Sequence, residues 1–140
     1  MPVIALAPET HATVAARLTD SAWCVACLCA AWCDVCGHFR SSFEFLAEQH
    51  PQMTFVWIDI EEHADLVGDI DVDNFPTLLM QRGPHVIFFG SVSPGLQVAH
   101  RLIQAQVSKS WDELEAEANS SIERQRWQST VHLARRIDAD

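Results

Sequence analysis

Apolar residues along this chain fall into blocks that keep one of two periods, and the blocks predict most of its elements. Val3 to Leu6 is a short apolar run, enough for a first strand. Pro8 to Leu18 follows as a helix, with Val14, Ala15 and Leu18 on its inner side and Thr10 as a candidate cap. Asp20 and Ser21 mark a turn. Trp23 to Ala31 is apolar without alternation, the pattern of a strand covered on both faces. From Cys33 to about His50 the period becomes helical. Phe39 and Phe43, with Leu46 or Ala47, form the inner stripe, and Pro51 marks the end. Met53 to Ile60 is a second buried strand, rich in β-branched and aromatic residues. Glu61 to Gly68 reads as a short helix. Leu78-Leu79-Met80 and His85 to Phe89 flank the turn residues Gln81-Arg82-Gly83-Pro84, a hairpin signal. Gly90 marks a bulge or a close approach. A further helix opens at Ser93 or Pro94 and carries Leu96, Leu102 and Ile103.

The resulting order is β-α-β-α-β-α-β-β-α. Its first half can form parallel βαβ units and its second half an antiparallel pair. Together they give an α/β fold with a central mixed sheet flanked by helices. Residues 1–107 make up this domain. Residues 108–140 are an extension, read as an extra C-terminal helix starting at Trp111 with Ser110 as its cap. Its apolar stripe is thin, as expected of a surface-docked or partly mobile helix. Trp111 and Trp127 either anchor it or mark a partner-binding face.

Charge narrows the partners. The 140 residues carry nine Lys and Arg against 19 Asp and Glu, a formal net charge of -10, and Lys109 is the one lysine. Nucleic acid is not an expected partner, because phosphate binding needs clustered basic residues. The seven acids from Asp59 to Asp73 read as a solvated face. No apolar run reaches the roughly 20 residues that a membrane helix needs. No basic residue precedes the first apolar patch, so a secretory signal is not expected and the expected location is cytoplasmic.

All five cysteines lie between Cys24 and Cys36. This is not the spread of a disulfide scaffold, and it suggests a reducing compartment. Trp32-Cys33-Asp34-Val35-Cys36 sits between a buried strand and a helix, the setting of a redox CxxC motif. A thiolate at a helix start is favoured by unpaired backbone N–H groups and the helix dipole. On a strand, Cys27 and Cys29 face one side and Cys24 the other. Free cysteines are most often small buried hydrophobes. The sharper alternative is a second redox pair or a relay to Cys36. Cys24 and Cys27 also have CxxC spacing, but an extended strand holds their Cα atoms about 10 Å apart, beyond disulfide reach. A zinc site built from Cys24, Cys27, Cys33 and Cys36 is disfavoured by the short gap between the pairs, since such knuckles usually lie about 15–20 residues apart.

With Phe75-Pro76-Thr77 added to the CxxC and the order of elements, the chain resembles the thioredoxin family from about Val3 to Gln106. Gly83 matches the hairpin glycine and Gly90 the glycine near the substrate groove. The resemblance implies that Cys33 is the exposed nucleophile that attacks a substrate disulfide, and Cys36 the buried thiol that resolves the mixed disulfide. It implies that Pro76 is cis, that Phe75 pairs through its backbone with an extended substrate, and that Trp32 belongs to the active surface. It implies protein disulfides as substrates, a reductase as partner, and no cofactor or metal in the domain. Two departures stand out. Asp34 and Val35 replace the usual Gly-Pro, and Asp34 acts both by repelling a neighbouring thiolate and as a carboxylate welcome at a helix start. The family's buried aspartate and its lysine partner align with Cys27 and Phe55, so both charges are missing together, as the cost of an isolated buried charge requires. Their loss leaves proton transfer at Cys36 to water, Asp34 or His38. It also favours the alternative reading, a binding module or chaperone-like adaptor with little redox turnover.

Overall fold

The computed structural model describes residues 3–18, 23–67, 69–70, 72 and 74–138. The expected turn at Asp20–Ser21, the Gly68 end of the third helix and the acids Asp71 and Asp73 lie outside the described residues. Five strands form one sheet: β1 (Ile4–Ala5), β2 (Trp23–Cys29), β3 (Thr54–Asp59), β4 (Thr77–Arg82) and β5 (His85–Ser91). They lie in the order β1-β3-β2-β4-β5. β3 runs parallel to both β1 and β2, and β4 pairs antiparallel with β2 and β5, the split that the order of elements predicts.

Both sheet faces are covered, which is why β2 is apolar throughout rather than alternating. On one face α2 (Asp34–Gln49) and α4 (Leu96–Val107) bury Phe39, Phe43, Leu46, Ala47, Ala99 and Ile103 against Val25, Cys27, Cys29 and Phe55. On the other, α1 (His11–Arg17) and α3 (Ala64–Val67) contribute Val14, Leu66 and Val67, and Cys24, Ala26 and Leu28 of β2 point their way. Thr10 is the N-cap residue of α1, but its side chain makes no capping bond there. It closes a 3-10 turn (Pro8–Thr10), where its hydroxyl accepts from Ala7 N at 2.9 Å and lies 2.8 Å from Ala5 O as donor. The hairpin turn is tighter than expected, with strand pairing reaching Arg82 and His85. Gly83 takes a φ of 55°, a region that favours glycine. The pairing irregularity falls between Met80 and Gln81, whereas Gly90 pairs in register with Leu78. Gly90 is not a close approach either, since an added Cβ would lie 3.4 Å from the Phe88 ring, an ordinary van der Waals contact.

The extension is three helices rather than one: α5 (Trp111–Ala118), α6 (Ile122–Thr130) and α7 (Leu133–Asp138). Ser110 caps α5 as expected, and Ser121 caps α6. Val131, Leu133 and Ile137 join the core on the α1 side. Trp111 packs on His85, with ring centroids 5.2 Å apart, and Trp127 meets Phe89 edge-on at 6.4 Å, so both anchor the extension to β5. A sheet edge presents unpaired backbone groups, and α6 covers that of β5 with side chains. Gln128 accepts from Val86 N at 2.7 Å and donates to Val86 O at 2.8 Å, and Arg124 donates to Ile87 O at 2.8 Å. Gln128→Ala removes both partners of Val86 and is expected to cost about 1–3 kcal/mol. Urea unfolding of the variant measures that loss, and an unchanged midpoint would show that water replaces the amide at no cost.

Candidate functional site

The C-terminal end of β2 and the start of α2 build the site. Cys33 is the N-cap of α2, with extended backbone, and its side chain makes no capping bond. Two backbone bonds fix the bend: Cys33 N donates to Ala30 O at 3.1 Å, and Gly37 N donates to Cys33 O at 3.2 Å. Asp59, at the end of β3, holds the same loop from beneath. Its carboxylate accepts from Ala31 N at 3.0 Å and from Glu61 N and Glu62 N at 2.9 and 3.1 Å. Nothing in the sequence pattern separated Asp59 from the solvated acids around it. The pairing of Cys29 with Asp59 across β2 and β3 is what brings its carboxylate to the loop.

Trp32 stands 67% exposed at the tip and meets Phe75 edge-on, with centroids 5.7 Å apart. The Phe75–Pro76 peptide is cis. Its loop is pinned by Thr77 Oγ1, which donates to Asn74 O at 2.6 Å, and by Val92 N, which donates to Pro76 O at 3.0 Å. Phe75 N–H is engaged by the Asn74 side-chain carbonyl at 3.0 Å. Asp34 and Val35 are exposed in the first turn of α2. Gly90 lies on β5, one strand beyond the cis-proline loop, opposite Leu78. The structure therefore gathers Trp32, Cys33 and Phe75 on one surface, with Pro76 buried beneath it.

The sulfur atoms depart from the expected pairing. Cys36 is 2% exposed and is bonded to Cys29, with Cα atoms 5.8 Å apart; Cys33 is a free, partly exposed thiol. Strand alternation explains the geometry, because β2 turns Cys27 and Cys29 toward α2 and Cys24 away from it. Cys27 Sγ lies 3.7 Å from Cys29 Sγ. Three sulfurs, those of Cys27, Cys29 and Cys36, are thus contiguous in the core below α2, while Cys33 is partly exposed. Cys24 is on the opposite face of the sheet, so the four-cysteine zinc arrangement weighed from the spacing has no common centre.

Burial governs the remaining thiols. It pushes the Cys24 thiol up to about 12. It pushes the Cys27 thiol up as well, partly offset by the nearby positive charge of Arg40. Both stay protonated at neutral pH, and the thiolate is the reactive form. Iodoacetamide at pH 8 is therefore expected to label Cys33 in the folded protein, and Cys24 and Cys27 only after unfolding. Peptide mapping reads the result, and native labelling of Cys24 would contradict the burial. Beside Cys36 a cleft of about 420 Å³ opens between Gly37, Arg40, Trp57, Asp59 and Glu62. The Arg40 guanidinium sits 4.8 Å over the Trp57 ring. Water and charged side chains thus reach the vicinity of Cys36 from this side, although β2 carries no carboxylate there.

Comparison with known proteins agrees with this architecture. The family model described as Thioredoxin matches residues 3–95. Thioredoxin-1 of Saccharomyces cerevisiae is 35% identical over 51 residues, which cover 36% of this chain and 50% of that protein. The chain spans about half the length of the curated relatives it matches. Among solved structures, a wild-type poplar thioredoxin h superposes with a TM-score of 0.68 at 20% identity, over 79% of this chain and all of that one. Oxidised thioredoxin O1 of Arabidopsis thaliana superposes with a TM-score of 0.62 at 19% identity, over 75% of this chain and 97% of that one. Those likenesses carry the fold, the family match spans more than half of the sequence, and the chain belongs to the thioredoxin family.

Proposed function

We propose that this protein is a thiol–disulfide oxidoreductase that exchanges electrons with protein disulfides, with Cys33 as the entering nucleophile and Cys36 as the resolving thiol. The observation that carries the reading is the position of Cys33. It is a free thiol at the N-cap of α2, partly exposed, in the first turn that also holds Cys36. The Cys33 thiolate attacks a sulfur of the substrate disulfide and expels one substrate thiolate. Cys36 then attacks the Cys33 sulfur of the mixed disulfide and expels the second. The substrate gains two electrons and the CxxC loses two.

Trp32 and Phe75 form the apolar surface on which an extended substrate segment rests, and the cis-proline loop beside Gly90 sets its limit. Asp34 and Val35 flank the attacking sulfur and face the same substrate. Cys27 stands where the family has its carboxylate, so the proton of Cys36 leaves by way of the cleft beside Arg40 and Asp59. No metal or cofactor takes part. A reductase, or the thiol pool of a reducing compartment such as the cytoplasm, returns the protein to its dithiol form. No helix among the described residues is long and apolar enough to cross a membrane.

The test is reduction of insulin by dithiothreitol, followed by turbidity. Catalysis above the uncatalysed rate is the expected result. Absence of catalysis, together with capture of a peptide by the Trp32–Phe75 surface, would favour the binding-module reading. The bonded Cys29–Cys36 pair is the observation that keeps that reading open, since it occupies the resolving thiol.

A further inference from the structure

We propose that Cys29 is a second resolving thiol, which draws the disulfide inward from Cys33–Cys36 to Cys29–Cys36 and sets Cys33 free again. This rests on the reading of Cys33 as nucleophile and Cys36 as its resolving partner.

Cys36 is a branch point. It lies three residues from Cys33 in the first turn of α2, a separation of about 5–6 Å between neighbouring side chains of a helix. It also lies opposite Cys29 of β2, with Cα atoms 5.8 Å apart, and is bonded to it. Both separations are within disulfide reach. The two partners differ in their surroundings. Cys33 is partly exposed, whereas Cys29 is 1% exposed in the same apolar cluster as Cys27, Phe39 and Phe43. A disulfide carries no charge, so the end state leaves no ion in this cluster, and only the attacking Cys29 thiolate is charged there in passing. The thiolate it releases appears at the helix start, where water and unpaired N–H groups receive it.

The step is an exchange that needs no outside oxidant. The Cys29 sulfur, as thiolate, attacks the Cys36 sulfur of Cys33–Cys36. The Cys29–Cys36 bond forms, the Cys33–Cys36 bond breaks, and Cys33 leaves as thiolate. The proton given up by Cys29 passes to water or to Cys33. Cys29 is oxidised, Cys33 is reduced back to the thiol state it had before meeting the substrate, Cys36 stays in a disulfide, and the substrate keeps its two electrons. Cys27 is the neighbour that receives or returns a hydrogen bond during this change, its sulfur being 3.7 Å from that of Cys29. It does not compete for Cys29, since neighbours two apart on a strand have Cα atoms about 6.6 Å apart, near the limit for a disulfide.

The consequence is an oxidised protein with a free surface nucleophile. An oxidised CxxC shields both its thiols, whereas here Cys33 is available to form a mixed disulfide while the two-electron charge is held inside. Reduction runs the exchange backwards, with Cys33 attacking Cys36, releasing Cys29 and presenting the surface disulfide to a reductant.

Bond location decides the matter in the unmodified full chain. The reduced protein is exposed to excess glutathione disulfide for timed intervals, quenched in acid, and alkylated with N-ethylmaleimide under denaturing conditions. Chymotryptic cleavage after Leu28 and Trp32 then separates Cys29 from Cys33 and Cys36. The expected course is an early Cys33–Cys36 bond within one peptide, replaced by a bond that joins the Cys29 peptide to it, with Cys33 alkylated. Cys29→Ala is expected to stop at Cys33–Cys36, and Cys33→Ser to form Cys29–Cys36 tenfold or more slowly. An end state of Cys33–Cys36 with Cys29 alkylated overturns the inward transfer and leaves the proposed function standing. Formation of Cys29–Cys36 in Cys33→Ser at the unmodified rate, or no intramolecular bond at all, overturns the role of Cys33 and with it the proposed function. The bond map of the unmodified chain needs no variant to fold.

Discussion

Cys33→Ser is expected to lower catalysed reduction of insulin by about 10³-fold or more, the scale on which an enzyme loses rate when its nucleophile is removed. A hydroxyl in place of the thiol keeps the shape but supplies almost no anion at neutral pH, and its oxygen cannot enter thiol–disulfide exchange. The variant is informative because its fold is not at risk. Cys33 is an N-cap whose side chain makes no capping bond. Serine is among the preferred N-cap residues and can accept from the next turn. Thermal unfolding is therefore expected to stay level or rise slightly while activity disappears. Insulin reduction and a melting curve on the same preparation measure the two effects. Full activity in Cys33→Ser would exclude Cys33 as nucleophile, and full partner binding without activity would separate chemistry from recognition. Cys36→Ser gives a different signature, because the first attack still occurs and the mixed disulfide on Cys33 then accumulates.

The parts of this molecule that were legible in its sequence are those where burial dictates the pattern. The stripe of Phe39, Phe43, Leu46 and Ala47 is buried on α2 in the expected register. β2 is apolar without alternation because helices cover both faces. The serine before Trp111 caps α5 because a helix start needs an acceptor for its free N–H groups. The extension was less legible for the same reason in reverse. α6 buries no residue fully and, apart from Trp127 against Phe89, docks through the amide of Gln128 and the guanidinium of Arg124 on the open edge of β5. A hydrophobic pattern registers such a middle helix only through Trp127, so the breaks on either side of it went unread and the extension read as one thin stripe.

The sulfur site divides in the same way. Alternation along β2 placed Cys27 and Cys29 together and Cys24 apart, as observed. It gives a face and not a distance, so the bond from Cys29 to Cys36 depended on where α2 sits above the strand. The role of Asp59 was hidden for a related reason. Its carboxylate reaches Ala31 through the register of β2 against β3, which no local signal encodes.

Because the seating of α2 on the sheet sets that sulfur geometry, the largest effect on stability is expected at its centre. Phe43 is fully buried, and its ring meets Phe55 at 5.4 Å, Trp57 at 5.7 Å and Phe39 at 6.0 Å. It joins α2 to β3 behind the cysteine cluster. Phe43→Ala removes the apolar ring from water-excluded contact and leaves a cavity that the close-packed sheet cannot fill, at a cost of about 3–5 kcal/mol. Against a total of about 5–15 kcal/mol for a domain, that is a large fraction. The melting temperature is expected to fall by roughly 10–20 °C. Phe45→Ala, two residues along the same helix but 48% exposed, is the matched control, with an expected change within about 0.5 kcal/mol. Helix propensity alone would make the two variants equal, since both exchange phenylalanine for alanine in α2. Equal melting temperatures would therefore place the weight of α2 elsewhere than in this aromatic contact. Phe43 thus contributes to the seating of α2, and with it Cys36, on the sheet. Chymotryptic mapping of Phe43→Ala below its melting temperature should then show more Cys33–Cys36 and less Cys29–Cys36 than the unmodified chain, as α2 loosens from β2 while its first turn stays intact.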